Sequence, residues 1–269
     1  MALTFVAGAR ARAQDGSQAF GTGVTVGSLH YSGGRNDVGL AVALQYSPTD
    51  WFTLTAAPGF GWTSYAGASS SGLTDLPLSA GAWHQFDATW SPSVAGSLNG
   101  SIALSSGANA VGVGRDILGA SASLGAWPTD NLRLNLGVSR PLSANSGNGW
   151  VNVESSYTMG ALRPTVGFSS EVGTADSAAV LSRSVTAGVA YAVDAPLTLV
   201  VDGSHGLTTG APTWSISVGF GTAFAGVSPV SLGSPMGRMR SVFGSRSQST
   251  NGYGSTNGSR GTCKRAGTC

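Results

Sequence analysis

Between Val38 and Trp62 large and small side chains alternate. Val38, Leu40, Val42, Leu44 and Tyr46 are separated by Gly39, Ala41, Ala43 and Gln45; after a break, Phe52, Leu54, Ala56, Phe60 and Trp62 take turns with Thr53, Thr55, Ala57 and Gly61. A period of two puts successive side chains on opposite faces and predicts strands. The break itself, Ser47-Pro48-Thr49-Asp50-Trp51, is turn chemistry, since Pro presets φ and Ser and Asp bond local backbone. This hairpin unit recurs, and it predicts twelve strands near 20–31, 38–46, 52–65, 79–90, 94–105, 116–126, 131–140, 149–159, 162–171, 182–193, 197–207 and 212–224. A tilted strand needs about 9 to 11 residues to cross a bilayer, and these segments suit that length.

The connections fall into two alternating classes. Ser47-Pro48-Thr49-Asp50, Ser91-Pro92-Ser93, Trp127-Pro128-Thr129-Asp130, Gly160-Ala161 and Asp194-Ala195-Pro196 are short; Ala66 to Ser79, Ser105 to Arg115, Pro141 to Asn148 and Gly173 to Leu181 are longer and rich in Gly, Ser, Asn and Asp. Short turns at one rim and long loops at the other are the habit of outer-membrane barrels. Tyr46, Trp51, Trp90, Trp127, Tyr157 and Tyr191 lie at or just before the short turns. Amphipathic rings favour the boundary between headgroups and hydrocarbon, so these positions predict a girdle at that rim.

Composition sharpens the solvent. Only 10% of the 269 residues are charged, while Gly alone supplies 41, against about 25% charged in an average soluble domain. No run of about 18 apolar residues is present to make a membrane helix, and a bilayer can otherwise be crossed only by a closed barrel whose backbone groups are all paired. The fold class expected is therefore all-β, an antiparallel up-and-down transmembrane β-barrel of about 12 strands spanning residues 14–224.

The two ends differ from this body. Residues 1–13 read as the remnant of a signal peptide, apolar from Ala2 to Gly8 and ending in a small-x-small pattern at Ala11-Arg12-Ala13; the alternative is an extra strand from Leu3 to Ala13, which would make the count odd. From 225 to 269 the alternation stops, and Arg238, Arg240, Arg246, Arg260, Lys264 and Arg265 face no acids, so a disordered basic Gly/Ser-rich tail is expected. Residues 14–224 hold six Arg and twelve acids, a net −6 hidden beneath the overall +2. Cys263 and Cys269 both lie in the tail, where a periplasmic disulfide and two free thiols are equally open.

With those features the chain resembles a bacterial outer-membrane β-barrel protein over Phe20 to Phe224. The closing strand Trp214-Ser215-Ile216-Ser217-Val218-Gly219-Phe220-Gly221-Thr222-Ala223-Phe224 is similar to that family's terminal assembly signal, from which the chain departs by continuing 45 residues beyond Phe224. The resemblance implies a Gram-negative cell outer membrane, with membrane lipid, lipopolysaccharide and the outer-membrane assembly machinery as partners.

If the larger apolar series faces lipid, the smaller polar series lines a lumen: Thr53 and Thr55, Asn99 and Ser101, Ser121 and Ser123, Asn152, Ser215 and Ser217, with the charged positions Asp87, Arg133, Glu154, Arg163 and Asp202 expected to line the pore. Counting from the short turns puts Asp87, Arg133 and Arg163 low in the barrel and Glu154 and Asp202 nearer its middle. Opposed charges inside a pore filter polar solutes, so the expected function is passive passage of small polar solutes; the alternatives are a plugged structural or surface-interaction barrel and a soluble secreted β-rich adhesin. An enzyme is not expected. His84 with Asp87, and His205 with Asp202, are three residues apart and point to opposite faces of a regular strand. No cofactor, metal site or nucleic-acid partner is implied.

Overall fold

The computed structural model describes residues 20–104, 111, 112, 114, 116–143, 148–173, 181–194 and 197–224. Segment 1–13 and the tail 225–269, with Cys263 and Cys269, lie outside the described residues. The chain forms β1 (Phe20–His30), β2 (Asn36–Thr49), β3 (Phe52–Ala56), β4 (Gly59–Tyr65), β5 (Ala68–Leu73), β6 (Leu76–Gln85), β7 (Ser93–Ile102), β8 (Ile117–Ala126), β9 (Leu132–Pro141), β10 (Gly149–Tyr157), β11 (Leu162–Val172), β12 (Arg183–Asp194), β13 (Leu197–Gly206), β14 (Trp214–Gly221) and a short 3-10 turn, Thr222–Phe224. Every pairing is antiparallel, and β1 pairs with β2 on one side and β14 on the other, which closes the sheet into a barrel.

Fourteen segments make twelve staves. β3 and β4 both run against β2, β3 beside its Leu44–Thr49 end and β4 beside Asn36–Ala41, with Ala57-Pro58 between them. Pro58 has no N–H to give a ladder, but its carbonyl accepts from the Val42 N–H at 2.9 Å. The neighbouring stave breaks at the matching place, Thr74-Asp75, between β5 and β6. There the Thr74 N–H donates to the Gly59 carbonyl at 3.0 Å and the Ala57 N–H to the Pro77 carbonyl at 3.1 Å, so the wall stays stitched through both breaks.

The two faces separate as the alternation predicts. Val24, Val26, Leu40, Val42, Leu98, Leu124, Leu136, Val153, Val166 and Ile216 are all exposed on the outer face. The residues between them turn inward and are buried or half-buried, among them Thr25, Thr53, Thr55, Ser169, Ser184, Ser215 and Ser217. An apolar band this continuous has no place in water and matches a hydrocarbon surround. One inward row is bare: Gly27, Gly39, Gly61 and Gly72 are register partners on four consecutive staves.

Three expectations need correction. Ala66 to Ser79 is not a long loop; it is a tight turn at Ala66-Gly67, both at positive φ, leading into β5 and β6. Its Ser-rich run alternates weakly, and pairing with β4 decides the structure. The strand expected to end at residue 90 ends at Gln85, and residues 86–92 form the turn. Trp127 does not join the aromatic girdle: it continues the inward series of β8, and its ring lies 5.5 Å beneath the guanidinium carbon of Arg133. The other rings do sit outside at the short-turn rim, with Phe20 stacked on Tyr46 at 4.6 Å and Trp51, Trp90, Tyr157 and Tyr191 exposed.

Candidate functional site: the barrel lumen

The lumen is lined by the inward row of each stave. At its short-turn end stand Arg133, the second residue of β9, and Arg163, the second of β11. Arg133 is the register partner of Ser156 on β10, and Ser156 in turn of Thr165 on β11, so the two arginines flank β10. Glu154, two residues from Ser156 toward the barrel's middle, is the opposite charge that both guanidinium groups feel. Among the described residues Arg133 Nε and Asn135 Oδ1 are buried without a hydrogen-bond partner. Beside Arg163, its register partner Ala190 on β12 joins Ala43, Val200 and Ala223 in a buried apolar cluster, with Ala223 brought in by the short 3-10 turn.

Asp202, 7% exposed, lies mid-strand on β13. Its register partner on one side is Gly188, where an added Cβ would collide with the Asp202 carboxylate, and on the other Ser217. The missing side chain at Gly188 is what lets the carboxylate lean over the β12 backbone. Ser217 pairs onward with Gly27, so Asp202 belongs to the same register row as the four glycines. Asp87 is displaced from its expected place: it lies in the 86–92 turn, exposed at the short-turn rim, because β6 stops before reaching it. The other four pore candidates are on inward faces. Asp202 and His205 point to opposite sides, Asp202 into the barrel and His205 outward.

Nearer the long-loop end, three further acids face inward that the sequence reading passed over. Asp37 is fully buried, paired with Arg35 at 2.7 Å and bonded by the Thr63 hydroxyl. Glu171 accepts from the Ser182 N–H at 2.9 Å and from Asn148 Nδ2 at 3.0 Å. Asp75, also fully buried, accepts the Gly114 N–H at 3.2 to 3.3 Å on its two oxygens. Each sits at a strand end or a break; the parity that turns Arg163 inward would have found Glu171 within the same predicted strand, and parity extended by one residue would have found Asp75. Of the inward side chains named, Asp37, Asp75 and Glu171 lie toward the long loops and Arg133 and Arg163 toward the short turns, with Arg35 the counter-charge of Asp37 at the long-loop end.

No family model matches the chain, and no curated protein matches it by sequence. Solved structures match its shape. The COG4313 outer membrane channel from Pseudomonas putida F1 superposes with a TM-score of 0.57 at 13% identity, covering 77% of this chain and 98% of the other. The NanC porin gives 0.50 at 10% identity, covering 74% and 98%. At such identities the likeness is one of fold, and it agrees with the closed twelve-stave sheet, the apolar belt and the girdle. The chain has the fold of the bacterial outer-membrane β-barrel channels.

Proposed function

We propose that the chain is a passive pore for small polar solutes in a bacterial outer membrane, with lipid and lipopolysaccharide against its outer belt and the barrel-assembly machinery as its route there. One observation carries the reading: the outer face is apolar all round while the inner face is built from Ser, Thr, Asn, Gly and a few charges. A barrel that served only as an anchor could fill its interior with large apolar side chains; small polar ones keep an interior wet. In this reading Arg133, Glu154, Arg163 and Asp202 line the pore and Asp87 stands at its short-turn mouth. A plugged interaction barrel is the second reading, favoured by the burial of Val111, a residue of the β7–β8 connection, against inward-facing side chains.

Single-channel recording of the full chain in planar bilayers tests this. Discrete steps are expected. A unit charge about 6 Å from an ion in water is worth ~0.7 kcal/mol, so removing one lining carboxylate changes ion preference about threefold. Glu154→Gln and Asp202→Asn should each shift selectivity toward anions by that factor, because each leaves Arg133 and Arg163 less balanced. An inserted but silent protein would favour the plug, and unchanged selectivity would remove these carboxylates from the lining.

A further inference from the structure

We infer that three tryptophans on one side of the lumen, Trp83, Trp127 and Trp150, form a stacking ladder for neutral saccharides; the inference names the solute class of the proposed pore and rests on that reading. Seven tryptophans occur in the chain. Trp51, Trp62, Trp90 and Trp214 are exposed on the outer surface or its rim. The other three face inward, on β6, just past the end of β8 and on β10, and each is half-buried. Trp83 pairs with the buried Ala95, whose other partner is Ser123, and Trp150 pairs with Ser139 and the buried Glu171. None of the three belongs to either buried apolar cluster.

Register spaces the rings along the wall. Trp83, Ala95, Ser123, Gly137 and Asn152 are successive partners on β6 to β10 and make one inward row. Trp127 stands four residues from Ser123 toward the short turns, and Trp150 two residues from Asn152 toward the long loops. At about 3.3 Å per residue the ladder runs about 20 Å along the strands, longer than one sugar ring, so it suits a chain of them. Asn135 and Glu154, partners on the row between Trp127 and Trp83, fill the gap. Asn152 is exposed although it faces inward, so this side of the lumen is open at that row.

The chemistry beside the rings fits a hydroxylated ring better than an ion. A sugar ring offers an apolar C–H face, which an indole takes by area and shape, and a rim of hydroxyls that both donate and accept. Arg133 only donates, Glu154 only accepts, and Asn135 and Asn152 do both. A hydroxyl can meet every one of them. A solute carrying a fixed charge of either sign is repelled by Arg133 or by Glu154, which stand on neighbouring rows of the same wall. Arg133, with its guanidinium carbon 5.5 Å over the Trp127 ring, also fixes the orientation of that ring at the short-turn end.

Single-channel recording of the full chain with maltohexaose in the bath tests the ladder. Reversible interruptions of the open current are expected, and none with a polyethylene glycol of equal mass, which has no ring to stack. Trp83→Ala and Trp150→Ala should each weaken the block about fivefold, the scale of one aromatic contact, while Trp150→Phe retains most of it. Trp62→Ala, on the lipid face, should leave the block unchanged. A conducting wild type that maltohexaose does not interrupt would overturn the ladder and leave the pore standing; so would a block undiminished in both alanine variants. Titration of tryptophan fluorescence with the same sugar reads binding without current. Inserted protein that is silent yet quenched, with the quenching lost in the alanine variants, would overturn the pore reading and support the saccharide site; silent and unquenched protein would overturn both.

Discussion

Val42→Arg should destabilise the folded barrel by about 2 to 4 kcal/mol, the cost of an arginine on the lipid face near the bilayer's middle. Val42 lies in the central part of β2, 41% exposed, opposite Val24 on β1 and between the outward Leu40 and Leu44. The guanidinium would replace a methyl pair in hydrocarbon, with no neighbour to pair it among those three. Urea unfolding in lipid vesicles, read by tryptophan fluorescence, measures the loss. Ser123→Asn, on the inward row of β8, is the companion: a polar change in a wet interior should stay within about 0.5 kcal/mol. If the two variants cost the same, the assignment of outer and inner faces is wrong.

Gly221→Ala attacks closure instead of solvation. Gly221 ends β14 and pairs with Gly23 on β1 and Thr198 on β13, so it stands at the seam. Its φ is +147°, and an added Cβ would overlap the Thr22 carbonyl oxygen and the Gly23 Cα, both backbone atoms that cannot rotate away. Backbone strain of this kind costs about 1 to 3 kcal/mol before the overlap is counted. We expect the folded, heat-modifiable band on a gel to be largely lost. Gly203→Ala on β13, whose added Cβ would rest at an ordinary 3.5 Å from the Ser215 carbonyl, should fold normally. Equal folding of both variants would show that the seam tolerates a side chain at its end.

Alternation carried most of the architecture. Twelve staves and the inward position of Arg133, Glu154, Arg163 and Asp202 follow from a period of two, because a barrel presents each strand with one apolar and one wet face. Where the structure departs from that reading, something other than periodicity decides. The two broken staves need Pro58 and Asp75, and neither break disturbs the hydrophobic count enough to be seen. Asp87 failed because β6 stops before reaching it, and Trp127 because its place beside a short turn was weighed above the parity by which it continues the inward series of β8. The arginine above the Trp127 ring is a contact between β9 and the turn before it, and the hydrogen bond from the Gly114 N–H to Asp75 joins residues 39 apart in sequence. Pairings of that sort leave no mark on local pattern.

β5 has a consequence for how the wall is held. The strand is six residues long and reads Ala-Ser-Ser-Ser-Gly-Leu. Serine and glycine hold a strand poorly, and between the Tyr65–Ala68 and Phe60–Leu73 ends of its ladder to β4 no two apolar residues meet. In this stretch the backbone bonds of the ladder, more than the side chains, keep the barrel's wall together.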